Sequence, residues 1–147
     1  MKEKTVTFEE IMFSVIAATQ DTFRAYLNIE VLAGKVLEKV EPVEADVVGI
    51  VGIAGARVGY ILFAVERTTA EWVAKKLLME DAVSDEGIRD SVGELANNIA
   101  GALKSKYNEQ YGGVALGLPL IMSGRITPMA SESAGPQMNV QSHGVII

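Results

Sequence analysis

Two β-rich runs, Val47-Val48-Gly49-Ile50-Val51-Gly52-Ile53 and Val58-Gly59-Tyr60-Ile61-Leu62-Phe63-Ala64-Val65, stand on either side of Gly55 with too few residues between them for a crossover helix. They must pair antiparallel, as a hairpin. The first run is almost continuously apolar, which suits a strand buried on both faces. The hairpin's glycines at 49, 52, 55 and 59 do not make a dinucleotide fingerprint, because that motif passes from a strand through its glycine turn into a helix, and here a second strand follows.

Helices are expected on both sides of the hairpin. Thr7-Phe8-Glu9-Glu10 forms a capping box, and Ile11, Met12, Val15, Ile16, Thr19, Phe23 and Tyr26 recur at helical intervals until about Leu27. Ile29 to Val40 and Ala45 to Ala54 read as strands, with Pro42 marking the connection. After the hairpin, Thr68-Thr69-Ala70-Glu71 opens a short helix that carries Trp72, Val73, Leu77 and Leu78 toward the core. Ser84 then caps a long helix with Asp85 and Glu86 in its first turn, where the helix dipole favours negative charge, and the helix runs to about Asn108 before Gly112 and Gly113 stop it. Val114 to Ser123 and Met138 to Ile147 read as strands, separated by a surface loop over Ser131 to Gln137. His143 in the last of these reads as structural. The expected fold is one α+β domain over 1–147, in the order α-β-β-β-α-α-β-β, with two long helices, about 8–27 and 85–108, packed on one face of a mixed, mainly antiparallel sheet.

Composition removes several kinds of chemistry. Thirteen Lys and Arg against nineteen Asp and Glu give a net charge of −6, which disfavours a grip on a nucleic-acid backbone. There is no cysteine and only one histidine, so thiolate chemistry, disulfides and zinc sites built on Cys or paired His are excluded. The long uncharged stretch Tyr111 to Gly124 is broken by glycines and Pro119 and falls short of the roughly 20 apolar residues that span a bilayer. A cytoplasmic location is expected, with no membrane and no nucleic-acid partner.

The long helix has two unlike arcs. At about 100° per residue, Val92, Leu95, Ala96, Ile99, Ala102, Leu103 and Tyr107 share one side and face the core. Opposite them lie Asp90, Glu94, Asn97, Asn98, Gly101 and Ser105, with Glu94 and Asn97 neighbours one turn apart. Asparagine is a mediocre helix former and an interior glycine costs roughly 1 kcal/mol against alanine, so the outward arc is not chosen for helix stability. Gly101 leaves a notch one turn after Asn97 into which another backbone or a phosphate group can approach.

The string Asp90-Ser91-Val92-Gly93-Glu94-Leu95-Ala96-Asn97-Asn98-Ile99-Ala100-Gly101, followed by Leu116-Gly117-Leu118-Pro119-Leu120-Ile121-Met122-Ser123-Gly124, resembles the CheX/CheC/FliY chemotaxis phosphatases. Their signature is Glu-x-x-Asn on a surface helix with Gly four residues later. Only one copy occurs here, which is similar to the CheX branch rather than to the two-site CheC proteins. The resemblance implies a protein-aspartyl-phosphate phosphatase whose substrate is a phosphorylated response regulator of the CheY type. It implies Asn97 as the residue that holds the attacking water and Glu94 as the residue that pairs with the receiver's active-site lysine. Asp90, Asn98 and Gly101 would border the contact. No cofactor of its own is implied, since the Mg²⁺ belongs to the receiver. Similar proteins continue with one more strand beyond the one placed at 138–147, and the sheet edge left by that departure suits a homodimer. The alternative is a noncatalytic module that binds the receiver without hydrolysing it.

Overall fold

A computed structural model of the chain describes residues 8–36, 44–55, 58–111, 113–126 and 142–146. The hairpin is its centre. Strand β1 (Ala45–Gly55) pairs antiparallel with β2 (Val58–Val65), Val47 standing opposite Val65 and Ile53 opposite Gly59. Gly55 ends β1 at φ +126°, and a Cβ there would lie 2.9 Å from the Gly113 carbonyl oxygen, so only glycine fits.

The other edge of β1 is covered by two short strands, β3 (Val114–Leu116) and β4 (Leu120–Ile126), both antiparallel to it. A single strand is expected over Val114 to Ser123. Instead, Leu116 pairs with Ile53 and Leu120 with Ile50, so four steps of one chain face three of the other and an extra residue bulges out at Gly117-Leu118-Pro119. Pro119 has no N–H to continue the ladder, and Gly117 donates instead to the Gly52 carbonyl at 2.9 Å. On the far side of β2, β5 (Ser142–Ile146) runs parallel, with Val58 opposite Ser142, so the sheet is mixed and mainly antiparallel. The side chain of His143, the loop over 131–137 and the Thr7 capping box lie outside the described residues.

Both faces of β1 are buried, which accounts for its uninterrupted apolar run. Val47 and Val51, with Ile61 and Phe63 of β2, face the helices, while Ala45, Val48 and Leu62 form a second cluster on the opposite face. Three helices lie on the first face: α1 (Phe8–Leu27), α2 (Arg67–Leu78) and α3 (Asp85–Tyr111). α3 packs directly on the sheet, whereas α1 packs along α3 and reaches β2 through Phe23, whose ring meets Phe63 edge-on at 6.1 Å between centroids.

Two glycines set the closeness of α3. A Cβ on Gly49 would stand 2.8 Å from the Ala96 Cβ and 3.4 Å from the Val92 carbonyl oxygen, and one on Gly93 would stand 2.7 Å from Ile121 Cδ1. The Ala96 methyl cannot rotate away. Gly49→Ala is therefore expected to lift α3 from the sheet and cost about 1–3 kcal/mol. Gly52→Ala, on the same strand with nothing within 4 Å of the added carbon, should change stability by less than about 0.5 kcal/mol. Urea denaturation of the two variants side by side checks the difference.

The segment after α1 departs from expectation. Asn28 adopts a left-handed φ of 52° and its N–H returns to the Arg24 carbonyl at 3.1 Å, which ends the helix. The strand expected over Ile29 to Val40 does not form in its described part, residues 29–36, and 37–40 lie outside the described residues. Both edges of β1 are occupied by other strands, and the Val31 carbonyl is taken by Gln20 Nε2 of α1 at 3.1 Å. Within α1 the buried residues are Ala18, Thr22, Phe23 and Leu27, and Tyr26 is exposed rather than part of the core face.

α2 also begins differently. Its N-cap is Glu66, without a side-chain bond, so the expected Thr68 capping box does not form. The first-turn amide of Arg67 instead donates to Asp46 Oδ2 at 2.8 Å, a cap supplied by β1. α2 buries Ala70, Val73 and Ala74, which turns Trp72 outward: it is 47% exposed, with the Lys76 ammonium 5.4 Å from its ring centroid, and is not a core residue. The cap expected for α3 is present, Gly87 N–H donating to Ser84 Oγ at 3.0 Å. Arg67 ties α2 to α3 by pairing with Asp85, and hydrogen bonding and charge from that guanidinium hold the Asp85 carboxyl below its ordinary value. Among the described residues no helix is long and apolar enough to cross a membrane.

Candidate functional site

The sequence of α3 gives it one face for the core and one for something else. Ile88, Val92, Leu95, Ala96, Ile99, Ala100 and Leu103 are buried, while Asp90, Glu94, Asn97 and Ser105 are exposed and Gly101 is half-buried among them. The Tyr107 side chain lies outside the described residues. Asp90, Glu94, Asn97 and Gly101 follow one another at intervals of about one turn, a stripe about 16 Å long on the helix surface. The sheet beneath and the packing of α1 and α2 hold the helix rigid, so these side chains project from a fixed base.

Asn98 stands apart from that stripe. It is half-buried at the edge of the apolar arc, and its Nδ2 is sequestered from solvent. The sequence places it beside Glu94 and Asn97 but gives no sign of this burial. Gly101 has the opposite character: a Cβ there would meet nothing within 4 Å. Packing explains Gly49 and Gly93, and nothing among the described residues explains Gly101. The Ser105 hydroxyl donates to the Gly101 carbonyl at 3.2 Å, keeping that backbone group satisfied at the notch.

Neither the Glu94 nor the Asn97 side chain is engaged in an ion pair or hydrogen bond among the described residues. Nor do those residues include a group of three or more His, Asp or Glu able to hold a metal ion. A carboxylate and an amide exposed on one helix face can orient water, accept from a cation and donate to an anion.

The chain is thus an α+β domain that presents an acidic and an amide side chain from the centre of a surface helix. Residues 47–143 match the family model described as chemotaxis phosphatase CheX, and the chain belongs to that family. Solved structures agree. The chemotaxis protein CheX from Desulfovibrio desulfuricans is 25% identical over 81% of each chain, with a TM-score of 0.74. A CheC-like superfamily protein from Shewanella sp. PV-4 is 24% identical, covers 88% of this chain and 86% of its own, and has the same TM-score, 0.74. A chain of the CheX–CheY–BeF3–Mg²⁺ complex from Borrelia burgdorferi is 23% identical over 77% of this chain and 76% of that one, at a TM-score of 0.57. Curated protein sequences give no match.

Proposed function

We propose that this chain hydrolyses the aspartyl phosphate of a CheY-type response regulator, with Asn97 positioning the attacking water and Glu94 pairing with the receiver's active-site lysine. The exposed stripe Asp90, Glu94, Asn97, Gly101 carries the reading, because it lies within the family match and its side chains serve no purpose in the chain's own packing. The receiver's Mg²⁺ supplies charge stabilisation at the phosphoryl oxygens, as in phosphoryl transfer generally. Asn97 holds water in line with phosphorus. The water's oxygen bonds to phosphorus as the bond to the aspartyl oxygen breaks, its protons leave with the inorganic phosphate, and the receiver's aspartate is released as the free carboxylate. An amide does not take up protons usefully at neutral pH, so its contribution is orientation. Asp90 borders the contact, and the notch at Gly101 admits the receiver's backbone.

Phosphate loss from phosphorylated receivers of the same organism, followed with and without this chain, tests the reading. Loss accelerated well beyond spontaneous decay for one receiver supports it and names the substrate. Tight binding with no acceleration would instead establish a noncatalytic receiver-binding module. The notch gives a sharper expectation: Gly101→Ala should raise fold stability by up to about 1 kcal/mol through helix propensity, yet slow turnover by about tenfold or more by obstructing the receiver. Thermal unfolding and turnover moving in opposite directions is the outcome to look for, and a variant of parental activity would remove Gly101 from the contact.

A homodimer belongs to the same proposal. On the sheet face away from the helices, Val58, Tyr60, Leu120 and Met122 are exposed beside buried Val48 and Leu62, an apolar surface that a second copy can cover. Equilibrium sedimentation should show a species of twice 15.7 kDa at micromolar concentration. A monomer throughout that range would overturn it.

A further inference from the structure

Asn98 carries a polar group that the isolated chain does not use. Its Nδ2 is buried and has no hydrogen-bond partner among the described residues, and a second such atom, Ser91 Oγ, occurs two turns earlier on the same edge of α3. A donor kept from water without a partner weakens the fold. Residues four apart on a helix are surface neighbours, and the Glu94 carboxylate, one turn before Asn98, has no ion pair or hydrogen bond among the described residues. In the free chain Glu94 is exposed and its oxygens are hydrated, so an amide gains little by turning toward it. A docked partner removes that water and strengthens any hydrogen bond made to the carboxylate.

We infer that Asn98 is a positioning residue for Glu94: when the receiver docks, the Asn98 amide donates to one Glu94 oxygen and leaves the other to the receiver's lysine. The inference rests on the docking role proposed for Glu94 and assigns Asn98 a different part from a border contact. Asn98 does not meet the receiver. It fixes the rotamer of the carboxylate that does, reducing the side-chain freedom lost on binding.

The experiment is a double-mutant cycle on affinity for a receiver loaded with Mg²⁺ and beryllofluoride, a non-hydrolysable stand-in for the phosphoryl group. Asn98→Ala should weaken binding about fivefold to tenfold when Glu94 is present and less than about twofold in the Glu94→Ala background. Asn98→Asp keeps the shape, deletes the donor and sets a like charge beside Glu94, so it should weaken binding more than Asn98→Ala does. Ser91→Ala removes the other orphaned group and should leave affinity within about twofold, because Ser91 is fully buried and cannot reach the carboxylate's exposed oxygens. Equal losses for Asn98→Ala in both backgrounds would overturn the positioning role and leave Glu94 as a docking residue. A loss for Ser91→Ala as large as for Asn98→Ala would overturn it too, since the helix edge would then act through packing. If Glu94→Ala alone binds as the parent does, the docking role itself fails, and this inference with it.

Discussion

Asn97→Ala is expected to bring dephosphorylation of the receiver close to its spontaneous rate while affinity for that receiver stays within about tenfold of the parental value. The asymmetry follows from where the residue stands and what an amide can do. Asn97 is exposed in the middle of α3 and makes no ion pair or hydrogen bond among the described residues, so its removal should leave the helix intact. Alanine is the better helix former, and the variant should be slightly more stable than the parent. Docking would still be held by Glu94 and by the close approach at Gly101. What is lost is a water fixed in line with phosphorus, and orientation of a reactant can contribute several kcal/mol to a barrier. Receiver titration, thermal unfolding and phosphate release measured on one preparation separate the three quantities. Parental turnover would sink the water-positioning mechanism. A well-folded variant that has lost all affinity would move Asn97 from catalysis to docking.

The parts of this architecture that were legible in the sequence are those whose determinants are local. The hairpin follows from two apolar runs and a connection too short for a helix, and the two arcs of α3 follow from period 3.6 over many turns. The exposed stripe is then fixed by subtraction, and the Glu-x-x-Asn pattern falls on it. What was not legible depends on residues far apart in the chain. α2 is capped by Asp46 from β1, so a capping box read from its own first turn was misleading. The segment after α1 has strand-like composition, but the sheet has no vacant edge beside β1 to receive it. Trp72 reads as core by its type, and its position is decided by three smaller residues, Ala70, Val73 and Ala74, which set the buried side of α2. The bulge after β3 had a visible signal in Pro119, and only the register with β1 gives it a place. Asn98 sits on the margin between the arcs of α3, where a few degrees of helix rotation decide between water and packing. Periodicity has no such precision.

Glu94→Lys is expected to abolish receiver binding at micromolar concentrations, and Glu94→Gln to weaken it only moderately. The two substitutions separate charge from shape. Glutamine keeps the length and an acceptor oxygen, and loses the charge-assisted component of a bond to an ammonium group, which exceeds a neutral hydrogen bond by roughly 1 kcal/mol. Lysine reverses the charge at a contact that docking partly desolvates, so attraction becomes repulsion and the penalty rises to several kcal/mol. Folding should not confound the comparison. Glu94 is exposed on the side of α3 away from the buried arc, and substitutions at such positions shift stability by less than about 0.5 kcal/mol. Circular dichroism and a receiver titration at two salt concentrations complete the test, because a bond that depends on charge weakens as salt screens it. The parental affinity should fall with added salt, and the Glu94→Gln affinity should fall less. Equal affinities for the Gln and Lys variants would show that charge at position 94 plays no part in docking. Glu94 would then be a solvated helix residue one turn before Asn97, and the receiver's lysine would need another partner.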